Sequence, residues 1–207
     1  MRENVGTSAD RPSALRSSTW QLARAISWVG HPLVFVSASV AIIVFFRLAN
    51  RAGASVLIAF ILAVVLPMGL LLFRGVRSGR WSDADVSVQS EREHFYPRAI
   101  LLSAGGVVAL LLLHAPTPIV RGALVTLALL IIAAVINRYL KISLHTMFAF
   151  YCAVILFGIG WLIGLVALFL AMLVSWSRLH LRRHALAEVL LGMFVGSAGA
   201  IVAAWWP

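Results

Sequence analysis

Charged side chains are scarce in this chain of 207 residues: Asp, Glu, Lys and Arg make up 12% of it, against 62% hydrophobic residues. A soluble domain carries about twice that share of charge. An ordinary water-soluble globule is therefore excluded, and a multi-pass membrane protein is expected. Acidic groups are scarcer still, seven against 17 Lys and Arg. In a soluble protein such an excess suggests nucleic acid, but no basic stretch interleaved with aromatics is available to read bases. The excess suits membrane topology instead, because cytoplasmic loops collect Lys and Arg. Cysteine is nearly missing: Cys152, inside an apolar run, is the single one. That excludes a disulfide framework and leaves the redox compartment unspecified. Residues 1–20 lack the apolar core of a signal peptide and read as a disordered cytoplasmic tail.

What the chain has in abundance is long hydrophobic runs. Seven occur, at 28–49, 54–73, 98–114, 119–137, 144–159, 161–176 and 185–205. Each is long enough to cross, or nearly cross, about 30 Å of hydrocarbon. With no water there to satisfy backbone groups, they must be helices. The fold class expected is all-α: a polytopic membrane helix bundle of about six to seven transmembrane helices over residues 21–207. No internal repeat and no appended soluble domain is evident. Ahead of the first run, Leu22, Ile26 and Val29 recur at helical spacing beside Trp20 and Trp28. That pattern suits a short helix lying in the interface, where Trp is favoured.

Seven alternating crossings put the tail, the 74–97 loop and the junctions at 138–143 and 177–184 on one side. All but Arg47, Arg51 and Arg121 of the 17 basic residues fall there, as do all seven acidic ones. The basic asymmetry makes that face cytoplasmic, in a plasma or inner cell membrane. The opposite loops, such as His114-Ala115-Pro116-Thr117-Pro118, are short and nearly featureless.

Three clusters lie on the equipped face. In Ser177-Arg178-x5-His184-x3-Glu188, His184 and Glu188 stand one helical turn apart. A carboxylate there can accept the Nδ1 proton of His184, orienting the ring and leaving Nε2 as base or nucleophile. Arg178 can hold an anion with its planar fork of donors. In Lys141-Ile142-Ser143-Leu144-His145-Thr146, a helix N-terminus joins a hydroxyl and an amine into an anion site. His145 beside it can protonate a leaving oxygen. In Gln89-Ser90-Glu91-Arg92-Glu93-His94-Phe95-Tyr96-Pro97-Arg98, Arg92 and Arg98 are further anion contacts. Singly, each cluster has a plainer reading. Membrane-edge Arg residues, Arg182 and Arg183 among them, ordinarily set topology or snorkel to headgroups, and an interfacial His is ordinarily a satisfied polar group. His31 before Pro32 reads as a cap on the first span. Nucleophile, orienter, acid and anion clamps on one face are together more specific.

These residues resemble the type 2 phosphatidic acid phosphatase superfamily, whose three motifs are Lys-x6-Arg-Pro, Pro-Ser-Gly-His and Ser-Arg-x5-His-x3-Asp. Ser177, Arg178 and His184 match the last motif in place, with Glu188 where Asp is usual. Ser143 and His145 match the middle motif, with Ile142 and Leu144 in place of its Pro and Gly. Of the first motif only Arg92 is retained: no Lys stands seven residues before it, and Pro97 does not directly follow it. The resemblance spans roughly residues 85–192. It implies a lipid phosphatase acting on a phosphate monoester or diphosphate of a lipid or polyprenyl substrate, without metal or cofactor. It further implies His184 as the nucleophile that forms a phosphohistidine, Glu188 as its orienter and His145 as the general acid. Arg92, Lys141, Ser143 and Arg178 form the implied phosphate clamp. The partners expected are the lipid phosphate and membrane lipids, with no nucleic acid.

Two rival readings remain at the level of sequence. His180, His184 and Glu188 recur at successive turns and can bind zinc. Against this, Arg178, Arg182 and Arg183 would repel a divalent cation, and no His-Glu-x-x-His signature is present. The other rival is a catalytically inactive scaffold of the same family that binds or moves a lipid phosphate.

Overall fold

The computed structural model describes residues 18–48 and 51–205. Most of the tail expected over residues 1–20 lies outside the described residues, and Ser18–Trp20 form the first turn of a helix. The described residues are helical throughout, without strands. In order they form α1 (Ser18–Val29), α2 (Pro32–Arg47), α3 (Arg51–Phe60), α4 (Leu66–Arg77) and α5 (Gln89–Leu112). α6 (Thr117–Ile136), α7 (Leu144–Leu156), α8 (Trp161–His180) and α9 (Leu186–Trp205) follow. A π-helical turn over Ile61–Val65 joins α3 to α4. Pro67, in the first turn of α4, supplies no amide to the preceding turn, which accounts for the changed hydrogen-bond period there.

Five helical stretches are long and apolar enough to cross a membrane: Gly53–Arg77, Gln89–Leu112, Thr117–Ile136, Trp161–His180 and Leu186–Ala204. α1 and α2, bent by 56° at the Gly30-His31 break, qualify together as a sixth. The multi-pass helical bundle read from the sequence is thus present. The expected fifth crossing differs: α7 has 13 residues, about 20 Å at 1.5 Å per residue. It is surrounded chiefly by other helices. Every residue from 142 to 153 is buried, and α7 packs chiefly against α9 and α8. It still links the two ends of the bundle. Ser143 and His145 stand at one end, while Gly158, just past the other, accepts a hydrogen bond from Arg47 Nη2 at 2.6 Å.

Two further boundaries differ from the hydrophobic runs. α5 begins at Gln89 rather than near 98, and carries Pro97 within it. α8 continues through His180, so Ser177 and Arg178 sit in its last turn. Hydropathy marks where a helix touches lipid, and a helix can continue beyond that into polar surroundings.

Glycine sets how closely α9 approaches α7. Gly192 and Gly196 are four apart, the small-residue spacing that lets helix backbones meet in membranes. A Cβ at Gly196 would lie 2.0 Å from the carbonyl oxygen of Met147, and one at Gly192 would lie 2.9 Å from that of Ser143. Neither backbone oxygen can be rotated aside. Gly196→Ala is therefore expected to lower the thermal midpoint in detergent, by an overpacking cost of about 1–3 kcal/mol. A midpoint equal to wild type would mean that the two helices have room to part.

Candidate active site

The three sequence clusters converge at one end of the bundle, and backbone atoms tie them together. Arg92, on the second turn of α5, is almost fully buried. Its Nε donates to the Val86 carbonyl at 2.8 Å and its Nη1 to the Ile142 carbonyl at 2.7 Å. The first cluster is thus pinned to the second. Ser143 caps α7: its Oγ lies 3.1 Å from Thr146 Oγ1, and its amide donates to the Glu188 carbonyl at 3.2 Å. The second cluster is thus pinned to the third. Lys141 closes the ring, its Nζ donating to the Arg183 carbonyl at 2.7 Å and reaching that of Ser87 at 3.4 Å. Burial lowers its pKa from the ordinary lysine value; Arg92, Arg178 and Arg183 add to this, against the pull of Glu188.

His184 lies in the turn between α8 and α9. Its Nδ1 is 2.8 Å from Glu188 Oε2 and 3.1 Å from the Lys141 carbonyl. Both neighbours accept, so Nδ1 carries the proton and the lone pair is left on Nε2. Glu188 Oε2 is itself held by the Ala185 amide at 3.1 Å. Burial pushes the His184 pKa well below the usual imidazole value, and the charges of Arg92, Arg178, Lys141 and His145 push it the same way. At neutral pH the ring is neutral, with its lone pair on Nε2.

Arg178 is fully buried, an expensive place for a guanidinium unless its donors are met. Its Nη1 is met twice, by Ser27 Oγ and by Asp85 Oδ2 at 2.8 Å. Its Nε and Nη2 have no hydrogen-bond partner among the described residues. Those two nitrogens form one edge of the guanidinium, the edge that grips two oxygens of a carboxylate or phosphate side by side. His145 on α7 is 4% exposed, and its Nε2 likewise lacks a hydrogen-bond partner. The site therefore holds two buried guanidinium nitrogens that call for an acceptor, and a His145 nitrogen 3.4 Å from Asp85 Oδ1, beside a histidine with a directed lone pair.

Of the expected site residues, Arg92, Lys141, Ser143, His145, Arg178, His184 and Glu188 all belong to this group. Arg98 does not: it is exposed and donates to the His94 carbonyl of its own helix. Ser177, matched with the third motif, is buried and donates to the Val174 carbonyl at 2.6 Å. The stripe of His180, His184 and Glu188 is not assembled as a ligand set, since the His180 ring stacks on Trp176 at 5.1 Å. By donor type a metal could instead be held by His31, Asp85 and His145, whose ligand atoms lie within 4.8 Å of one another. Arg178, in contact with the same carboxylate, opposes a cation there.

Two participants escaped the sequence reading. His31 does cap α2, its Nδ1 accepting from the Leu33 amide at 3.3 Å. Its ring also meets that of His145 edge to face, with centroids 5.4 Å apart. Asp85 lies between His145 and Arg178. The signal for it was present but inverted: Asp85 stands seven residues before Arg92, where a lysine was sought. Comparison of the chain with protein-family models, curated proteins and solved structures returns no match.

Proposed function

We propose that this protein is a membrane-embedded lipid phosphatase of the type 2 phosphatidic acid phosphatase kind. It hydrolyses a phosphate monoester or diphosphate of a lipid or polyprenyl substrate, with its site at the cytoplasmic face of a cell membrane. The observation that carries this reading is the open Nε–Nη2 edge of buried Arg178, beside a His184 whose tautomer is set by Glu188. A phosphoryl group gripped by that edge meets two further needs, a nucleophile and a proton donor. His184 Nε2 attacks phosphorus, forming a P–N bond as the P–O bond to the lipid breaks. The leaving oxygen takes the proton from His145 Nε2. Water then attacks the phosphohistidine and gives a proton to His145, and the imidazole departs neutral, its Nδ1 still protonated and donating to Glu188. The buried cations supply the charge stabilisation. Arg92, Lys141 and Ser143 frame this group, their hydrogen bonds going largely to backbone carbonyls and to Thr146.

The test is release of phosphate from a panel in detergent: phosphatidate, phosphatidylglycerophosphate and a polyprenyl diphosphate. Activity on at least one is expected, persisting in excess chelator and falling with vanadate, which imitates pentavalent phosphorus at the clamp. Complete loss in chelator with recovery on added zinc would favour a metal hydrolase. One observation favours a second reading, an inactive lipid-phosphate binder: the carboxylate of Asp85 stands against Arg178. Vanadate binding without phosphate release from any substrate would select that reading.

A further inference from the structure

Asp85 is held in place more firmly than a surface loop residue needs to be. The loop between α4 and α5 is anchored on either side of it by Trp81 and Val86, each 2% exposed. Trp81 lies against Gly75, where a Cβ would come within 1.7 Å of the indole. Val86 has φ 46°, a backbone conformation that β-branched residues rarely adopt. Its carbonyl is fixed there by Arg92 Nε at 2.8 Å. Asp83 adds a clasp, its carboxylate accepting from the amide and hydroxyl of Ser87 and from Arg183 Nη1 at 3.0 Å. Strain over-determined in this way is characteristic of functional sites.

The two oxygens of Asp85 face different machinery. Oδ2 takes Arg178 Nη1 at 2.8 Å, and Ser27 takes the same nitrogen from another side. With Nη1 fixed twice, the planar guanidinium cannot turn, and the direction of its Nε–Nη2 edge is set. Oδ1 lies 3.4 Å from His145 Nε2 without hydrogen-bond alignment. At that separation an ionised carboxylate favours the protonated imidazole, and the poor alignment leaves an N–H on Nε2 free to turn towards a better-placed acceptor. We propose that Asp85 is a positioning residue for the phosphatase reaction, coupling the anion clamp to the proton donor. One oxygen aims the Arg178 edge, and the charge on the other offsets part of the cost that burial and Arg178 impose on the protonated His145 as it serves the leaving oxygen. This rests on the phosphatase reading above.

The charge balance around His145 gives Asp85 this role. Four groups face that ring from the elements packed around it: Arg178 from α8, His31 from the α1–α2 junction, His184 from the α8–α9 turn, and Asp85. Of these, Asp85 alone brings a negative charge. Its carboxyl is ionised at neutral pH: burial pushes its pKa up, but His145 and Arg178 outweigh this and hold it well below the usual carboxylate range.

The experiment measures kcat and KM for the purified full chain and for Asp85→Asn and Asp85→Glu, on a lipid phosphate and on nitrophenyl phosphate. Asparagine keeps an oxygen for Arg178 and removes the charge. Lipid-phosphate kcat is expected to fall about 10–100-fold in Asp85→Asn, within the range of general-acid effects. KM should change by less than about threefold if the anion contact at Arg178 survives. The loss on nitrophenyl phosphate should be several times smaller, because its leaving group needs less protonation. The descending limb of kcat against pH should move to lower pH, since His145 loses its proton more readily without the carboxylate. Asp85→Glu should regain part of the rate. Equal losses on both substrates, or a rise in KM alone, would overturn the role. An active wild type with an unchanged Asp85→Asn would overturn it while leaving the phosphatase reading intact. A wild type inactive on every lipid phosphate would overturn both.

Discussion

His184→Ala is expected to release no phosphate from any substrate and to form no trapped phosphoenzyme, whereas His145→Ala keeps a measurable, substrate-dependent activity. The difference follows from what each ring supplies in the proposed reaction. His184 offers the lone pair on Nε2, made available by the Nδ1 bond to Glu188 at 2.8 Å, and no neighbouring group replaces it. His145 offers a proton, and the need for a proton depends on the leaving group. Removing a general acid costs about 10²–10⁴-fold on an ordinary ester, and less when the leaving oxygen is already acidic. Nitrophenyl phosphate should therefore restore part of the lost rate in His145→Ala and none in His184→Ala. Glu188→Gln should fall between the two, because the amide still accepts from the ring but no longer carries the charge that stabilises it. Steady-state rates on the two substrates, with acid-quenched trapping of the intermediate, separate these cases. Equal rescue of both histidine variants would mean that the roles are misassigned, and a fully active His184→Ala would remove the mechanism.

Arg178→Lys, although it keeps the charge, is expected to cost about 10²–10³-fold in kcat, the usual effect of losing a preorganised donor to developing negative charge. The ammonium is a point charge and cannot present two parallel N–H groups to two oxygens. It can still face Asp85, so the fold should survive and binding of vanadate should weaken. Arg178→Met is a different experiment. Asp85, with its side chain 23% exposed, then loses its cation. Breaking a buried pair from one side destabilises by about 3–5 kcal/mol, with the partial exposure of Asp85 favouring the low end. A melting curve beside the rate measurement distinguishes the two variants. Near-wild-type kcat in Arg178→Lys would mean that the open guanidinium edge is not where the phosphoryl group sits.

The helical bundle was legible because the bilayer leaves so few choices: long apolar runs, no alternation, few charges. The His184–Glu188 pair was legible for a local reason, since its members are only four residues apart, although His184 lies in the turn that enters α9 rather than on the helix. The same local logic placed Ser143 at the start of α7. What could not be read depends on long-range closure. Asp85 meets Arg178 across 93 positions of sequence, and Ser27 meets the same guanidinium across 151. No periodicity encodes those contacts. His31 shows the limit from the other side: its capping role is local and was foreseen, whereas its contact with the His145 ring depends on how α2 packs on α7. The ends of α5 and α8 were misplaced for a third reason. Hydropathy falls where Gln89–Arg98 and Ser177–His180 leave the lipid, but their helical hydrogen bonding does not.

A helix as deeply buried as α7 is enclosed mainly by its successors. α7 leaves the ribosome before α8 and α9, which are the helices that cover it. Until α9 arrives, the backbone of Met147 that will meet Gly196 has no counterpart, and a helix of 13 residues is a poor span by itself. The amide of Ser143 waits for the Glu188 carbonyl, and the carbonyl of Lys141 waits for His184 Nδ1. A nascent chain halted after α8 carries Arg92, His145 and Arg178 but lacks both His184 and the wall that positions it. In biosynthetic terms, the site is completed only with α9, and under the proposed function a half-made copy in the membrane could not strip phosphate from the lipids around it.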